Sequence, residues 1–275
     1  MDHIISKNLL SIRNQKTLII TSPSGRCGTT ALQRLLSSSN KTVTYSEDST
    51  PLDYCKFMLE NIGMLTKHYE NLPFPVSARL PIEIWVTTQL PKKDKMVEAI
   101  FNSTYHYFNA YRGEIFDDSE VVVIKKPSLG TEQLKAFKFF FPNTKIIFIY
   151  RDIIDVLRSH LGYRIWRDRF RSTLDQATKD TLLLWLHLCE EWMKEPVENS
   201  LTINYAEISS STEFIGKISQ YSWDLSFDAR VLDKKINGIS NYQSPIDLPK
   251  NYNALLHEKE DTIQNIEEFF NRDVI

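Results

Sequence analysis

Four short stretches of this 275-residue chain gather basic, hydroxyl and carboxylate side chains in patterns suited to holding and reacting an anion. The run Ser22-Pro23-Ser24-Gly25-Arg26-Cys27-Gly28-Thr29-Thr30 combines two glycines, an arginine and several hydroxyls. Small residues let backbone N–H groups close on an anion, a helix beginning near Thr29 offers its positive end, and the hydroxyls can donate. Arg151-Asp152, with Ser159 eight residues after the arginine, supplies a guanidinium able to grip a phosphate bidentately and a serine that can reach the same anion. Lys125-Lys126 bring point charges, and Glu47-Asp48 bring carboxylates that can take a proton. The loop is not a nucleoside-triphosphate P-loop, because the GxxxxGK(S/T) spacing and its lysine are both missing. Each stretch also has a plain structural reading: a glycine turn without a ligand, an ion pair at a helix start, a surface lysine pair, and a turn or N-cap.

Strands and helices must bring these stretches together. Five short apolar or β-branched runs read as strands: Thr17 to Thr21, Thr42 to Tyr45, Val121 to Ile124, Lys145 to Tyr150 and Leu201 to Asn204. Helical periodicity between them, as in Leu134 to Phe141 and Thr181 to Trp192, predicts an α/β fold with a mostly parallel five-stranded sheet flanked by helices. In such sheets ligands collect beyond the carboxyl ends of the strands. The loop, Glu47-Asp48, Lys125-Lys126, Arg151-Asp152 and Tyr205-Ala206-Glu207 all fall at those exits.

Eight glycines and the absence of repeats leave little room for a linker, so residues 1–275 are expected to form a single domain. A hydrophobic content of 42 % supports a sizeable core. A net charge of -2 argues against general nucleic-acid binding, since no global positive field gathers phosphates. Three widely spaced cysteines form neither a disulfide framework nor a metal pattern, and no apolar run approaches the roughly 18 residues of a membrane span. A soluble cytoplasmic protein without membrane association is the expectation.

The loop SGRCGTT resembles the 5′-phosphosulfate loop of sulfotransferases that use 3′-phosphoadenosine-5′-phosphosulfate (PAPS), a basic residue and a serine followed by Gly-Thr-Thr. Arg26 takes the basic position, Cys27 replaces the serine, and Gly28, Thr29 and Thr30 match, with Gly25 preceding them. KIIFIYRDIIDVLRSH is similar to the family's 3′-phosphate motif, and Arg151 and Ser159 fall at its arginine and serine. LTINYAEI resembles a late strand whose tyrosine packs near the adenine, here Tyr205, although a core tyrosine explains it nearly as well.

This resemblance implies a P-loop NTPase-like sulfotransferase fold, PAPS as co-substrate, its desulfated product PAP, no metal, and a small-molecule acceptor sulfated on a hydroxyl or nitrogen. It places Arg26 at the leaving phosphate oxygen, with Lys125 second and Lys126 competing for that place. The histidine base of many members falls at Pro127, so the base has to come from elsewhere. Glu47, after the second strand, is the expected replacement beside the Arg26 loop, with Asp48 as the alternative. His106 and His160 have no motif partners and stay outside the catalytic set. Lys234, Lys235 and Ser240 resemble a C-terminal lid, and a solvated basic loop is the other reading. Aromatic residues from Tyr54 to Arg112 are expected to build the acceptor pocket. Six arginines between Arg151 and Arg171, Arg158 among them, form either a solvated helix face or a local positive field. The rival functions are a P-loop-like nucleotide or small-molecule kinase and a nucleotide-binding module without catalysis.

Overall fold

A computed structural model of the chain describes residues 9–71, 92–113, 120–167, 174–233, 248 and 250–271. In chain order its elements are α1 (Leu10–Arg13), β1 (Lys16–Thr21), α2 (Thr29–Ser37), β2 (Thr42–Ser46), α3 (Thr50–Glu70), α4 (Lys93–Arg112), β3 (Val121–Lys125), α5 (Thr131–Phe140), β4 (Thr144–Tyr150), α6 (Ile153–Arg167), α7 (Leu174–Lys194), β5 (Ser200–Asn204), α8 (Thr212–Tyr221), α9 (Arg230–Asp233), α10 (Lys250–Glu258) and α11 (Glu260–Asn271). A 3-10 turn, Tyr205–Glu207, follows β5. The residues group into two compact units interleaved in sequence, one drawn from 1–15, 50–117 and 132–143, the other from 16–49, 118–131 and 144–275.

The second unit holds one parallel sheet of order β2-β3-β1-β4-β5. Its three inner strands are the most apolar, because a strand covered on both faces must be hydrophobic throughout. Leu18, Ile19, Ile20, Val121 to Ile124 and Ile146 to Tyr150 are accordingly buried, whereas the edge strands β2 and β5 keep half-exposed residues. Each fully buried side chain of this size contributes about 1.5–3 kcal/mol before the entropy of ordering is subtracted. On β4, Phe148 stacks on Trp192 of α7 with centroids 4.2 Å apart, and Tyr150 stacks on Phe270 of α11 at 4.5 Å. These contacts anchor α7 and α11 against the strand that ends at Arg151.

The first unit is helical. Phe101, Tyr105 and Phe108 recur at helical spacing on α4 and pack with Phe137, Phe140 and Phe141, with Phe108 and Phe141 at 4.4 Å. The buried Tyr105 hydroxyl donates to the Phe140 carbonyl at 3.0 Å, which satisfies its one polar atom.

The predicted strands match the observed ones to within a residue at each end. The helices run longer than their periodicity indicates. Helix α5 begins at Thr131 rather than Leu134, because a Glu191 carboxylate oxygen accepts from the Thr131 N–H at 2.8 Å and from its hydroxyl at 2.6 Å. Helix α7 extends the predicted Thr181 to Trp192 at both ends. Lys234, Lys235 and Ser240 lie outside the described residues.

Candidate active site

The site grows from the ends of β1 and β4, which are adjacent strands paired from Thr17↔Thr144 to Thr21↔Phe148. Beyond β1 the chain turns sharply. The buried Ser22 hydroxyl donates to the Ser24 carbonyl at 2.6 Å, and the Ser128 N–H from the turn after β3 donates to the Ser22 carbonyl at 2.8 Å. Arg26 then takes a φ of 73° and Gly28 a φ of 100°, both left-handed. Such a conformation costs an L-residue about 1–2 kcal/mol and glycine almost nothing.

Gly28 has a second reason to be glycine. A Cβ there would stand 2.4 and 2.7 Å from the Tyr205 ring and 3.1 Å from Ile208. The ring of Tyr205 lies in turn against the Arg151 guanidinium, 4.1 Å from centroid to carbon. The first glycine of the loop, Gly25, is exposed and has open space around it. Gly28 also stands at the N-cap of α2, where no side chain caps the first-turn N–H groups.

The Cys27 side chain is fully buried beneath the loop, 3.6 Å from the Ser24 hydroxyl, and burial pushes its thiol up. It can offer an anion its backbone N–H, while its sulfur acts as a small core residue.

Two bonds tie this loop to the start of α6. The Arg26 Nε donates to the Ser159 hydroxyl at 3.1 Å, and Arg151 Nη1 donates to the Arg26 carbonyl at 2.9 Å. Trp185 of α7 donates to the Arg151 carbonyl at 3.2 Å and so fixes the strand exit from behind. The buried Nε atoms of Arg151 and Arg158 have no acceptor. Asp155 stands 3.8 Å from Arg151 and 4.0 Å from Arg158. Asp152 turns away, capping α6 through the Asp155 N–H at 3.1 Å. Burial, aided by its hydrogen bond to Asp152, pushes the Glu267 carboxyl of α11 up to about 7.

The second half of the site lies across β3. The nearly buried Lys125 ammonium donates to the Glu47 carboxylate at 2.5 Å. The Glu47 N–H also donates to the Lys125 carbonyl at 2.6 Å, so backbone as well as side chain joins the ends of β2 and β3. Glu47 takes a φ of 57°, and Lys126 donates to its carbonyl at 3.3 Å. The Lys125 hydrogen bond and charge hold the Glu47 carboxyl below the ordinary glutamate range. The sheet order places β3 between β1 and β2, so the strand that ends in Lys125 separates the end of β2, at Glu47, from the end of β1, where the loop begins.

The structure thus brings Arg26, Gly28, Arg151, Ser159 and Tyr205 into one cluster, and Lys125 with Glu47 into a second one strand away. Tyr205 belongs to the first cluster as a partner of Arg151 and Gly28, at 37 % exposure rather than in the core. His160 is half-buried, its Nδ1 3.4 Å from the Thr181 hydroxyl, and His106 is exposed on α4. In the first unit Tyr54 and Tyr107 stack at 4.2 Å, and the Tyr54 hydroxyl lies 2.9 Å from that of Ser103. Sequence reasoning missed the bracing by Ser22, Ser128 and Trp185, which act through backbone groups that no motif reports. It counted Arg158 only within a charge run, although its place beside Ser159 was a signal.

A parallel α/β sheet carries a basic, hydroxyl-rich cradle at adjacent strand ends, with an ion-paired lysine and glutamate one strand away, an arrangement suited to an anionic ligand. The sequence matches the sulfotransferase family over residues 19–214, and the chain belongs to that family. No curated protein matches it significantly. Among solved structures, mouse sulfotransferase SULT7A1 complexed with PAP is similar at 13 % identity and a TM-score of 0.50, with 96 % of this chain and 94 % of that chain covered. The sulfotransferase domain of the Synechococcus PCC 7002 olefin synthase is similar at 16 % identity and a TM-score of 0.49, covering 93 % and 95 %. A sulfotransferase from Alicyclobacillus acidocaldarius shows 13 % identity and a TM-score of 0.46, covering 94 % and 96 %. Among the described residues no helix is long and apolar enough to cross a membrane.

Proposed function

We propose that this sulfotransferase moves a sulfuryl group from PAPS to a hydroxyl or nitrogen of a small-molecule acceptor, with residues 1–275 working as one catalytic domain. The observation that carries the reading is the convergence of Arg26 with Arg151 and Ser159, residues more than a hundred positions apart, at the ends of β1 and β4. The orphaned Arg151 Nε fits an anionic ligand, because a buried guanidinium nitrogen without an acceptor is costly. The uncapped N-terminus of α2 fits the 5′-phosphosulfate end of the same co-substrate. Tyr205, with the Arg151 guanidinium over its ring, is suited to lie beside the adenine.

In the reaction the bond between sulfur and the leaving phosphate oxygen breaks while the acceptor atom bonds to sulfur. Negative charge grows on the leaving oxygen, and Lys125 is the nearly buried cation suited to meet it. Glu47 accepts the acceptor's proton. Its salt bridge keeps it ionised at neutral pH, at the expense of basicity. As the leaving oxygen draws Lys125, that hold weakens and the carboxylate becomes a better base when the proton must move.

Release of PAP from PAPS across a library of alcohols, phenols and amines tests the reading. Acceptor-dependent release that disappears in Arg151→Ala is expected. Thermal stabilisation by ATP and not by PAPS or PAP would point to a kinase, and PAP binding without turnover on any acceptor to a binding module.

A further inference from the structure

The turn that follows β3 is bonded to the chain on both sides of it. We propose that Ser128 is a positioning residue, and that the turn Lys126-Pro127-Ser128-Leu129 is a strut that keeps the Lys125 ammonium and its Glu47 partner in fixed register with the loop after β1. The inference rests on the reading of Lys125 and Glu47 as the pair that serves sulfuryl transfer, and deepens it.

Three observations support it. First, the turn reaches the chain leaving β1 through backbone donors. The Lys126 N–H donates to the Ile20 carbonyl at 2.9 Å, the Ser128 N–H to the Ser22 carbonyl at 2.8 Å, and the Leu129 N–H to the Thr21 hydroxyl at 3.4 Å. Ser22 donates its own hydroxyl to the Ser24 carbonyl, so the Ser128 bond is passed on to the first residues of the loop. Toward β2, the Glu47 N–H donates to the Lys125 carbonyl at 2.6 Å and the Lys126 ammonium to the Glu47 carbonyl at 3.3 Å. Second, Ser128 takes a φ of 64°, a left-handed value that is unfavourable for serine and persists only where the surroundings over-determine it. Arg26 at 73° and Glu47 at 57° share that region, so the chain leaving each of the neighbouring strands β2, β3 and β1 carries one strained residue. Third, the flanking residues leave Ser128 little freedom. Pro127 has a fixed φ and no N–H to satisfy, and the Leu129 side chain is buried. A lysine side chain is long and flexible, so the place of its ammonium depends on a fixed backbone, and a misplacement of about 1 Å can cost about 100-fold in rate.

The test compares the wild type with Ser128→Gly, Ser128→Val and Pro127→Gly in three measurements: PAP affinity by calorimetry, the pH titration of the Glu47 carboxyl by NMR, and PAP release from PAPS with the library of alcohols, phenols and amines. Glycine accepts a left-handed φ at position 128, β-branched valine resists it, and glycine at position 127 frees the turn. Ser128→Gly should match the wild type throughout. Ser128→Val and Pro127→Gly should slow PAP release by about 10- to 100-fold and leave PAP affinity unchanged. In both, the Glu47 titration should move up toward the ordinary glutamate range, because the ammonium that holds it down is no longer fixed. Thermal unfolding checks that each variant folds, and Pro127→Gly carries the comparison if Ser128→Val does not. Slower release with the Glu47 titration unmoved, PAP weakened as much as release is slowed, or variants that match the wild type in both, overturn the inference alone. A wild type that releases no PAP with any acceptor overturns the transfer reading and the inference together.

Discussion

Replacing Gly28 by alanine tests whether the loop, Tyr205 and Arg151 form one packed unit. The added Cβ would meet the Tyr205 ring at 2.4 and 2.7 Å, distances that side-chain carbons do not sustain, so the ring must move off Arg151. Losing that cation–π contact costs about 0.5–2 kcal/mol. Holding alanine at a φ of 100° costs about 1–2 kcal/mol more. Alanine also restricts the unfolded chain, which returns about 0.4–1 kcal/mol. The net loss is about 0.5–3.6 kcal/mol, or roughly 1–14 °C in Tm for a protein of this size. Urea unfolding read by fluorescence, with and without PAP, measures it. Gly25→Ala is the control, because its Cβ meets nothing within 4 Å, and its effect should stay within about 0.5 kcal/mol. In a Tyr205→Ala background the clash with the ring disappears, and Gly28→Ala should cost only the φ penalty and the tighter 3.1 Å contact with Ile208, giving a coupling between the two substitutions. Equal costs for Gly28→Ala in both backgrounds, or equal effects at Gly25 and Gly28, would refute the packing argument.

Other outcomes follow from the same contacts. Glu47→Gln should keep PAP affinity while turnover falls by about 100- to 10,000-fold, with Asp48→Asn costing much less; inactivity of the Asp48 variant alone would move the base by one residue. Because Lys125 holds Glu47 below the ordinary glutamate range, the acid limb of kcat/KM should lie below that range, and Lys125→Met should shift it to higher pH along with lowering the rate. Arg151→Ala should weaken PAP far more than adenosine 5′-phosphosulfate, which lacks the 3′-phosphate, and equal losses would remove Arg151 from that subsite. Glu267 is protonated more readily in the folded state, near 7, than in the unfolded chain, so its contribution to stability is present below about 4.5 and is lost as pH rises through about 7. Denaturant titrations should show that decline in the wild type and a flatter profile in Glu267→Gln.

The sheet was readable because its inner strands, such as Val121-Val122-Val123-Ile124, are apolar on both faces and end in abrupt changes to charged residues. Arg26, Arg151 and Ser159 were singled out by the resemblance of their two stretches to family motifs, and the structure brings the three side by side. Strand order was not readable, since no local pattern in Thr42 to Tyr45 says that β3 will lie between it and β1. That order makes Lys125, on the neighbouring strand, the ion-pair partner of Glu47. Left-handed φ at Arg26 and Glu47 was equally hidden, because neither residue type announces it and the hydrogen bonds that accompany it come from distant strands. The contact between Arg26 and Ser159 joins residues 133 positions apart, and spacing within the loop carries no information about it.

PAP and ADP carry two phosphates each, and they differ in whether the second stands on the 3′ position or extends the 5′ chain. Calorimetric affinities of the wild type for the two therefore separate recognition of position from attraction of charge. The account predicts that PAP binds at least about tenfold more tightly, as expected when buried donors are matched by one ligand and unpaired with the other. ADP binding as tightly as PAP, or more tightly, would contradict the assignment of the Arg26–Arg151–Ser159 cluster and the use of PAPS with it.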